Sequence, residues 1–166
     1  MTSGIVETFN GMPVHYIDAQ DALEAAAAGW LRREVVALDT EFMRVRTFHA
    51  QAALFQVCDG ETCFLVDPLA VGDLAPLARL LDARDVLKVM HSCSEDLEVC
   101  DRHLGTLPDP LVDTQIVAAF CGYPLSVGYQ KMLAAEFDVH LRKSETRTDW
   151  LQRPLSPAQI HYAAED

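Results

Sequence analysis

Apolar residues recur along the chain with two different periods, and the switches between them divide it into elements. His15-Tyr16-Ile17 predicts a short strand, after which Asp18 is placed to cap a helix over Ala22–Leu31, where ALEAAAAGWL is built from strong helix formers. Residues 34–42 open on Val35-Val36-Ala37-Leu38, a run that reads as a buried strand. AALFQVC and ETCFLVD follow it on either side of Asp59-Gly60. An Asp-Gly pair between two apolar runs is the strongest short hairpin signal a sequence carries. Residues 34–67 are therefore expected to form three antiparallel neighbours in a sheet.

Beyond Asp67-Pro68, read as a turn, helical and extended patterns alternate. DLAPLARLLD puts Leu74, Leu77, Leu80 and Leu81 on one helical stripe. VLKVMH predicts a strand, and SEDLEVCDRHL a helix capped by Ser94. LVD predicts another strand, and TQIVAAFCG a helix capped by Asp113 and closed by Gly122. GYQKMLAAEF predicts a further helix, residues 142–153 are polar and turn-rich, and Pro157 starts a last helix behind Ser156 as cap. The class is α/β: a mixed sheet covered by helices, with antiparallel hairpin strands first and alternating helices and parallel strands after them. The 166 residues suffice for one domain with a full core. The sequence stops at Asp166 inside a helical pattern, which reads as a single domain over 1–166 truncated at its C-terminal end.

Three acidic places stand out against this pattern. Asp39 and Glu41 lie two apart at the end of a strand, so they share a face and their charges repel unless something neutralises them. Asp96 falls in the first turn of the helix after the strand at 86–90. Tyr162 and Asp166 are an i, i+4 pair on the last helix. An acid in a first turn favours the helix dipole, and a helical Tyr and Asp four apart can simply pack, so these two have ordinary structural readings. Asp39 and Glu41 are harder to explain that way, because an exposed edge strand does not normally follow four apolar residues.

Charge and cysteines narrow the classes further. The chain carries 25 acids against 13 bases, a net charge of −12. This argues against holding nucleic acid through a broad basic face, and leaves room for an enzyme that touches a few phosphates while cations neutralise its acids. Cys58, Cys63, Cys93, Cys100 and Cys121 are odd in number and never spaced C-x-x-C. They read as thiols in a reducing cytoplasm, not as a zinc site or disulfide framework. No apolar run approaches the roughly 20 residues that cross a bilayer, and residues 1–12 lack the pattern of a signal peptide. No membrane association is expected.

Taken together, the acids resemble the Asp-Glu-Asp-Asp 3′→5′ exonuclease superfamily, in the branch whose third motif is Tyr-x-x-x-Asp. The stretches LDTEF, QAALFQVCDG, HSCSEDLEV, DTQIVAAFCG, KSETRTDWLQRPL and YAAED narrow the resemblance to the ribonuclease D family over residues 34–166.

The resemblance implies a ribonuclease-H-like fold with two divalent ions, Mg²⁺ or Mn²⁺, in a carboxylate cluster. It assigns Asp39 to both ions, Glu41 and Asp166 to the ion that activates water, Asp96 to the ion near the leaving oxygen, and Tyr162 to orientation of the attacking water. The implied activity is release of nucleoside 5′-monophosphates from RNA with a free 3′ end, transfer RNA precursors among the substrates, with no protein partner. Thr40 and Phe42 are implied contacts of the terminal nucleotide, Phe42 as a stacking face, although alternation puts both on the face opposite the acids and leaves Phe42 a place in the core. Lys143, Arg147 and Arg153 are candidates for neutralising phosphates, Arg147 foremost. A DNA exonuclease of the same superfamily and a catalytically silent RNA-binding scaffold are the alternatives, and the negative charge speaks against the second. The small helical domains with which the family holds RNA are absent from the sequence. His91 and Glu165 are expected to be structural, Glu165 facing solvent.

Overall fold

In the computed structural model, residues 4–9, 11–44, 48–141 and 148–165 are described, with side chains from Gly11 onward. In chain order the elements are β1 (Gly4–Phe9), β2 (Met12–Ile17), α1 (Gln20–Trp30), β3 (Val35–Met43), β4 (Gln51–Cys58), β5 (Cys63–Val66), α2 (Ala75–Asp82), β6 (Leu87–Met90), α3 (Ser94–Leu104), β7 (Leu111–Asp113), α4 (Thr114–Phe120), α5 (Tyr129–Phe137) and α6 (Pro157–Glu165). The strands form one mixed sheet in the order β1-β2-β5-β4-β3-β6-β7. β3, β4 and β5 are antiparallel neighbours, as the Asp59-Gly60 hairpin requires. β2 joins β5, and β6 joins both β3 and β7, in parallel. The architecture is the α/β fold expected from the alternation of patterns.

β1, antiparallel to β2, is a strand beyond those expected from the apolar pattern. Its signal was present as Asn10-Gly11 between VETF and MPVHYI. Gly11 has φ +85°, a conformation that glycine takes without the steric cost other residues meet.

Two cores sit on the two sides of the sheet. Leu23, Ala27 and Trp30 of α1, Leu77 and Leu80 of α2, and Val99 of α3 pack with Val36, Phe55, Val57 and Val66. Tyr162 and Ala163 of α6, with Trp150 and Leu155 before it, pack with Val14, Ala53, Leu54 and Leu65. Successive strand residues alternate between these layers, as in Leu65 and Val66. That alternation decides which face of β3 each acid meets.

Two expected caps are corrected. Ala19 precedes α1 and no side chain caps it, because Gln20 instead ties the helix start to the backbone of Gly72 and Asp73. Ser94 lies inside α3 behind Cys93. The preceding N–H groups of Ser92 and Cys93 donate to the Asp113 carboxylate, which also accepts from Gln115 N–H as the cap of α4. Ser156 and Gln159 form a reciprocal capping box at α6: Gln159 N–H donates to Ser156 Oγ at 3.1 Å and Ser156 N–H to Gln159 Oε1 at 2.9 Å.

Candidate active site

β3 carries the acids on the side away from Val36. Its pairing with β4 runs Asp39↔Gln56, Thr40↔Phe55, Glu41↔Leu54 and then Phe42↔Ala52. The register thus shifts by one residue directly after Glu41. A bulge of this kind bends a strand and re-aims its end. Asp39 and Glu41 precede the shift and share the face that α6 covers, where Leu54 lies in the second core.

Thr40, between the two acids, points to the other face and is buried at 7% exposure. Its hydroxyl donates to Asp96 Oδ1 at 2.5 Å, joining β3 to the first turn of α3. Asp96 is itself 8% exposed. Burial raises the pKa of its carboxyl above the ordinary value, although hydrogen bonds from Thr40 oppose the rise. The third acid therefore reaches the strand end from the opposite side of the sheet. Its partners are hydrogen-bond donors, the Thr40 hydroxyl among them, and the main causes of its pKa shift include no cation.

α6 reaches the same place from the first side. Ala163, Ala164 and Glu165 border a cavity of about 230 Å³ together with Asp39 and Gln56. Tyr162 is buried, with its ring centroid 5.9 Å from that of Trp150. The structure thus brings together Asp39, Glu41, Thr40 and Asp96 at β3, and sets the end of α6 beside Asp39. Asp166, Lys143 and Arg147 lie outside the described residues.

Among the described residues, no three His, Cys, Asp or Glu side chains are grouped closely enough to hold a metal ion. The donor set nonetheless suits Mg²⁺. That ion takes hard oxygen ligands, keeps several waters, and uses one or two carboxylates with substrate phosphate in preference to a closed protein cage. The donors here are carboxylates alone, and Asp96 is a buried acid whose charge an adjacent cation would stabilise.

A family model described as 3′–5′ exonuclease matches residues 14–166. The chain belongs to this exonuclease family. Among curated members it is 49% identical over 153 residues to ribonuclease D of Pseudomonas paraeruginosa, covering 92% of this chain and 41% of that protein. The crystal structure of Escherichia coli RNase D, an exoribonuclease involved in structured RNA processing, superposes with a TM-score of 0.91 at 46% identity, over 93% of this chain and 41% of that one. Brucella melitensis NrnC with bound Mg²⁺ superposes with a TM-score of 0.72 at 27% identity, over 82% of this chain and 68% of that one. The chain spans about 41% of the length of the ribonuclease D relatives it matches.

The other residues weighed in the sequence divide between agreement and correction, Arg153 and Glu165 being the two corrected. Phe42 is half-buried and packs against the core under α1–α3, and the Thr40 hydroxyl is committed to Asp96. Arg153 does not stand open to phosphate. Its guanidinium donates to both Asp67 oxygens, at 2.6 and 2.8 Å, and to Ala53 O at 2.6 Å. Glu165 does not face solvent: its side chain is 11% exposed, pairs with His161 at 3.2 Å, and lines the cavity with Asp39. His91 is structural, its ring nitrogens engaging Thr114 Oγ1 and Val127 O at 2.9 and 3.0 Å.

Gln56 was missed altogether. It is buried on the α6 face opposite Asp39, and the signal for it was one amide inside the apolar run AALFQVC.

Proposed function

We propose that this domain hydrolyses phosphodiester bonds from the 3′ end of RNA, one nucleotide at a time, releasing nucleoside 5′-monophosphates. The observation that carries the reading is the Thr40–Asp96 hydrogen bond, which joins α3 to β3 between Asp39 and Glu41. The end of α6 beside Asp39 supports assigning the acids of all three motifs to one site. Asp39, Glu41, Asp96 and Asp166 are the residues that hold two divalent ions, Mg²⁺ or Mn²⁺. When bound, such ions offset the charge of the scissile phosphate and lower the pKa of an attacking water.

The chain's own groups do the rest. Thr40 fixes the Asp96 carboxylate. Tyr162, held by Trp150, orients the attacking water with its hydroxyl, since with a free pKa near 10 it is a poor base by itself. Arg147, Lys143 and the exposed edge of Phe42 are candidate contacts to the 3′-terminal nucleotides. Similarity to an exoribonuclease involved in structured RNA processing supports structured RNA as substrate; transfer RNA precursors belong to the proposal, as does the cytoplasm, which suits the free cysteines.

The test is degradation of matched RNA and DNA labelled internally, in Mg²⁺, Mn²⁺ or EDTA. Linear RNA with a 3′ hydroxyl is expected to shorten from that end only with metal. A 3′-phosphate should block it, and circular RNA should survive. Cleavage of the circle, or equal rates in EDTA, would overturn the reading, and a preference for DNA would replace its substrate.

A further inference from the structure

Gln56 is the polar residue of the α6 face that the activity above leaves unused. It interrupts an otherwise apolar strand, is 5% exposed, and neither its amide oxygen nor its amide nitrogen has a hydrogen-bond partner among the described residues. A buried polar side chain in that condition destabilises the fold, and an apolar residue of the same size would not. Such groups call for an explanation outside packing.

The position of Gln56 supplies one. It is the antiparallel partner of Asp39, so the two side chains leave the sheet on the same face with Cβ atoms about 4.5–5.5 Å apart. Both border the cavity of about 230 Å³, whose walls are otherwise mostly apolar, from Met12, Ala37, Cys58 and Ala163, with Glu165 and Tyr129 as its further polar members. A water occupies about 30 Å³ in the liquid and needs two to four polar partners to settle in a protein interior. The space and its polar wall residues meet both conditions.

We propose that Gln56 is a positioning residue for Asp39, acting through a water held in this cavity. The amide Nε2–H donates to the water, the water donates to the Asp39 carboxylate, and Glu165 closes the set from α6. A neutral amide suits this task better than a charged group. A lysine would compete with a cation for Asp39, and a glutamate would add one more repulsion to an acidic strand end. The result is a carboxylate held in one orientation from the cavity side. This inference rests on the metal-binding role proposed for Asp39. Partners of this kind change metal affinity by about 10–100-fold when removed.

Gln56→Met removes the amide at nearly constant volume, and Gln56→Leu repeats the removal with a different shape, so that a loss common to both belongs to the amide and not to packing. Each is compared with the unaltered chain by thermal melting in EDTA and by calorimetric titration with Mn²⁺. Both variants are expected to melt close to the unaltered chain in EDTA, since the amide's partner is a water and no other part of the fold. Both should bind Mn²⁺ about 10–100-fold more weakly. Affinity within twofold of the unaltered chain in either variant overturns the proposal, as does a fall in melting temperature in EDTA for both, which would make the amide a support of the fold. If the unaltered chain itself takes up no Mn²⁺, the metal reading of Asp39 falls first and this proposal with it. That outcome is distinct from binding that the variants leave unchanged.

Discussion

Asp67 and Asp96 are both carboxylates withdrawn from water near the end of a strand or the start of a helix, and their surroundings are opposites. Asp67 accepts from Arg153 twice, from Tyr16 Oη at 2.5 Å and from Leu69 N–H at 3.0 Å. Burial alone would raise its pKa, but the Arg153 and Tyr16 hydrogen bonds reverse that and hold it below the ordinary value. Asp96 has burial without a cation, with Thr40 as its named side-chain donor, and its pKa is raised. A buried charge with a complete set of partners holds architecture together: Asp67 fastens β5, β2 and the segment before α6 to one another. A buried charge held by hydrogen bonds without a cation is less fully compensated, and such groups cluster where ligands bind. The comparison therefore sets a scaffold carboxylate beside the one proposed for the site.

The largest effect should come from breaking the complete set. Arg153→Met leaves Asp67 buried without its cation, and removing one member of a buried pair costs about 3–5 kcal/mol. Urea unfolding at neutral pH should record that loss. The sign of its pH dependence follows from the direction of the shift. The folded-state pKa of Asp67 lies below the unfolded one, so its stabilisation is present above the ordinary carboxylate value and disappears as pH falls through the folded value. The gap between the unaltered chain and Arg153→Met should consequently narrow as pH is lowered from 7 toward 3. A gap that widened would mean Arg153 acts through packing and not through Asp67.

Next in size is Tyr162→Phe. The ring keeps its place against Trp150, and only the hydroxyl is lost. A single oriented donor in an active site is worth about 2.7–4 kcal/mol, or roughly 10²–10³ in turnover. Single-turnover rates should fall by that factor while Mn²⁺ affinity and melting temperature stay near those of the unaltered chain. Lost metal binding would place Tyr162 with the scaffold, beside Asp67.

How much of this contrast could be read from the sequence depends on range. Asp39, Glu41, Asp96 and Tyr162 stand out as candidates in the sequence because each sits in a short motif with its own spacing. The central hairpin was found because Asp59-Gly60 is a local turn signal. The Asp67–Arg153 pair spans 86 residues and has no local signature, so Asp67 read as a turn and Arg153 as a phosphate contact. Glu165 read as solvent-facing because helical spacing alone does not reveal that its face of α6 closes over a cavity. Gln56 needed the register of β3 against β4, which a one-residue bulge sets. The parallel pairing of β2 with β5 likewise joins strands that nothing in their own residues matches.

The under-compensated side of the comparison can be sharpened at Thr40. Thr40→Val keeps the shape and removes the donor to Asp96. Hydrogen bonds to a charged group contribute about 1.5–3 kcal/mol, so the variant should lose that much stability in EDTA. In an Asp96→Asn background the same substitution should lose markedly less, because the charge that needed the donor is gone. Equal losses in both backgrounds would show that Thr40 stabilises β3 independently of Asp96.

The smallest effect tests whether the site depends on how α6 is anchored. The helix begins at Pro157 behind Ser156, whose hydroxyl accepts the Gln159 N–H while Gln159 returns its side-chain oxygen to the Ser156 N–H. Gln159 also donates to Asp149 O at 3.2 Å and Thr148 Oγ1 at 3.3 Å. The box therefore fixes the helix start against the segment carrying Trp150, and Trp150 in turn packs on Tyr162 two turns further on. Ser156→Ala removes one half of the box, a loss of about 0.5–2 kcal/mol. The remaining contacts of Gln159 keep the helix in register. Chemical unfolding should show a decrease within that range, with turnover changed no more than about twofold once the protein is folded. A turnover loss comparable to that of Tyr162→Phe, at unchanged stability, would mean that the cap sets the position of Tyr162 directly. The boundary between scaffold and site would then run through the first turn of α6 and not through its last.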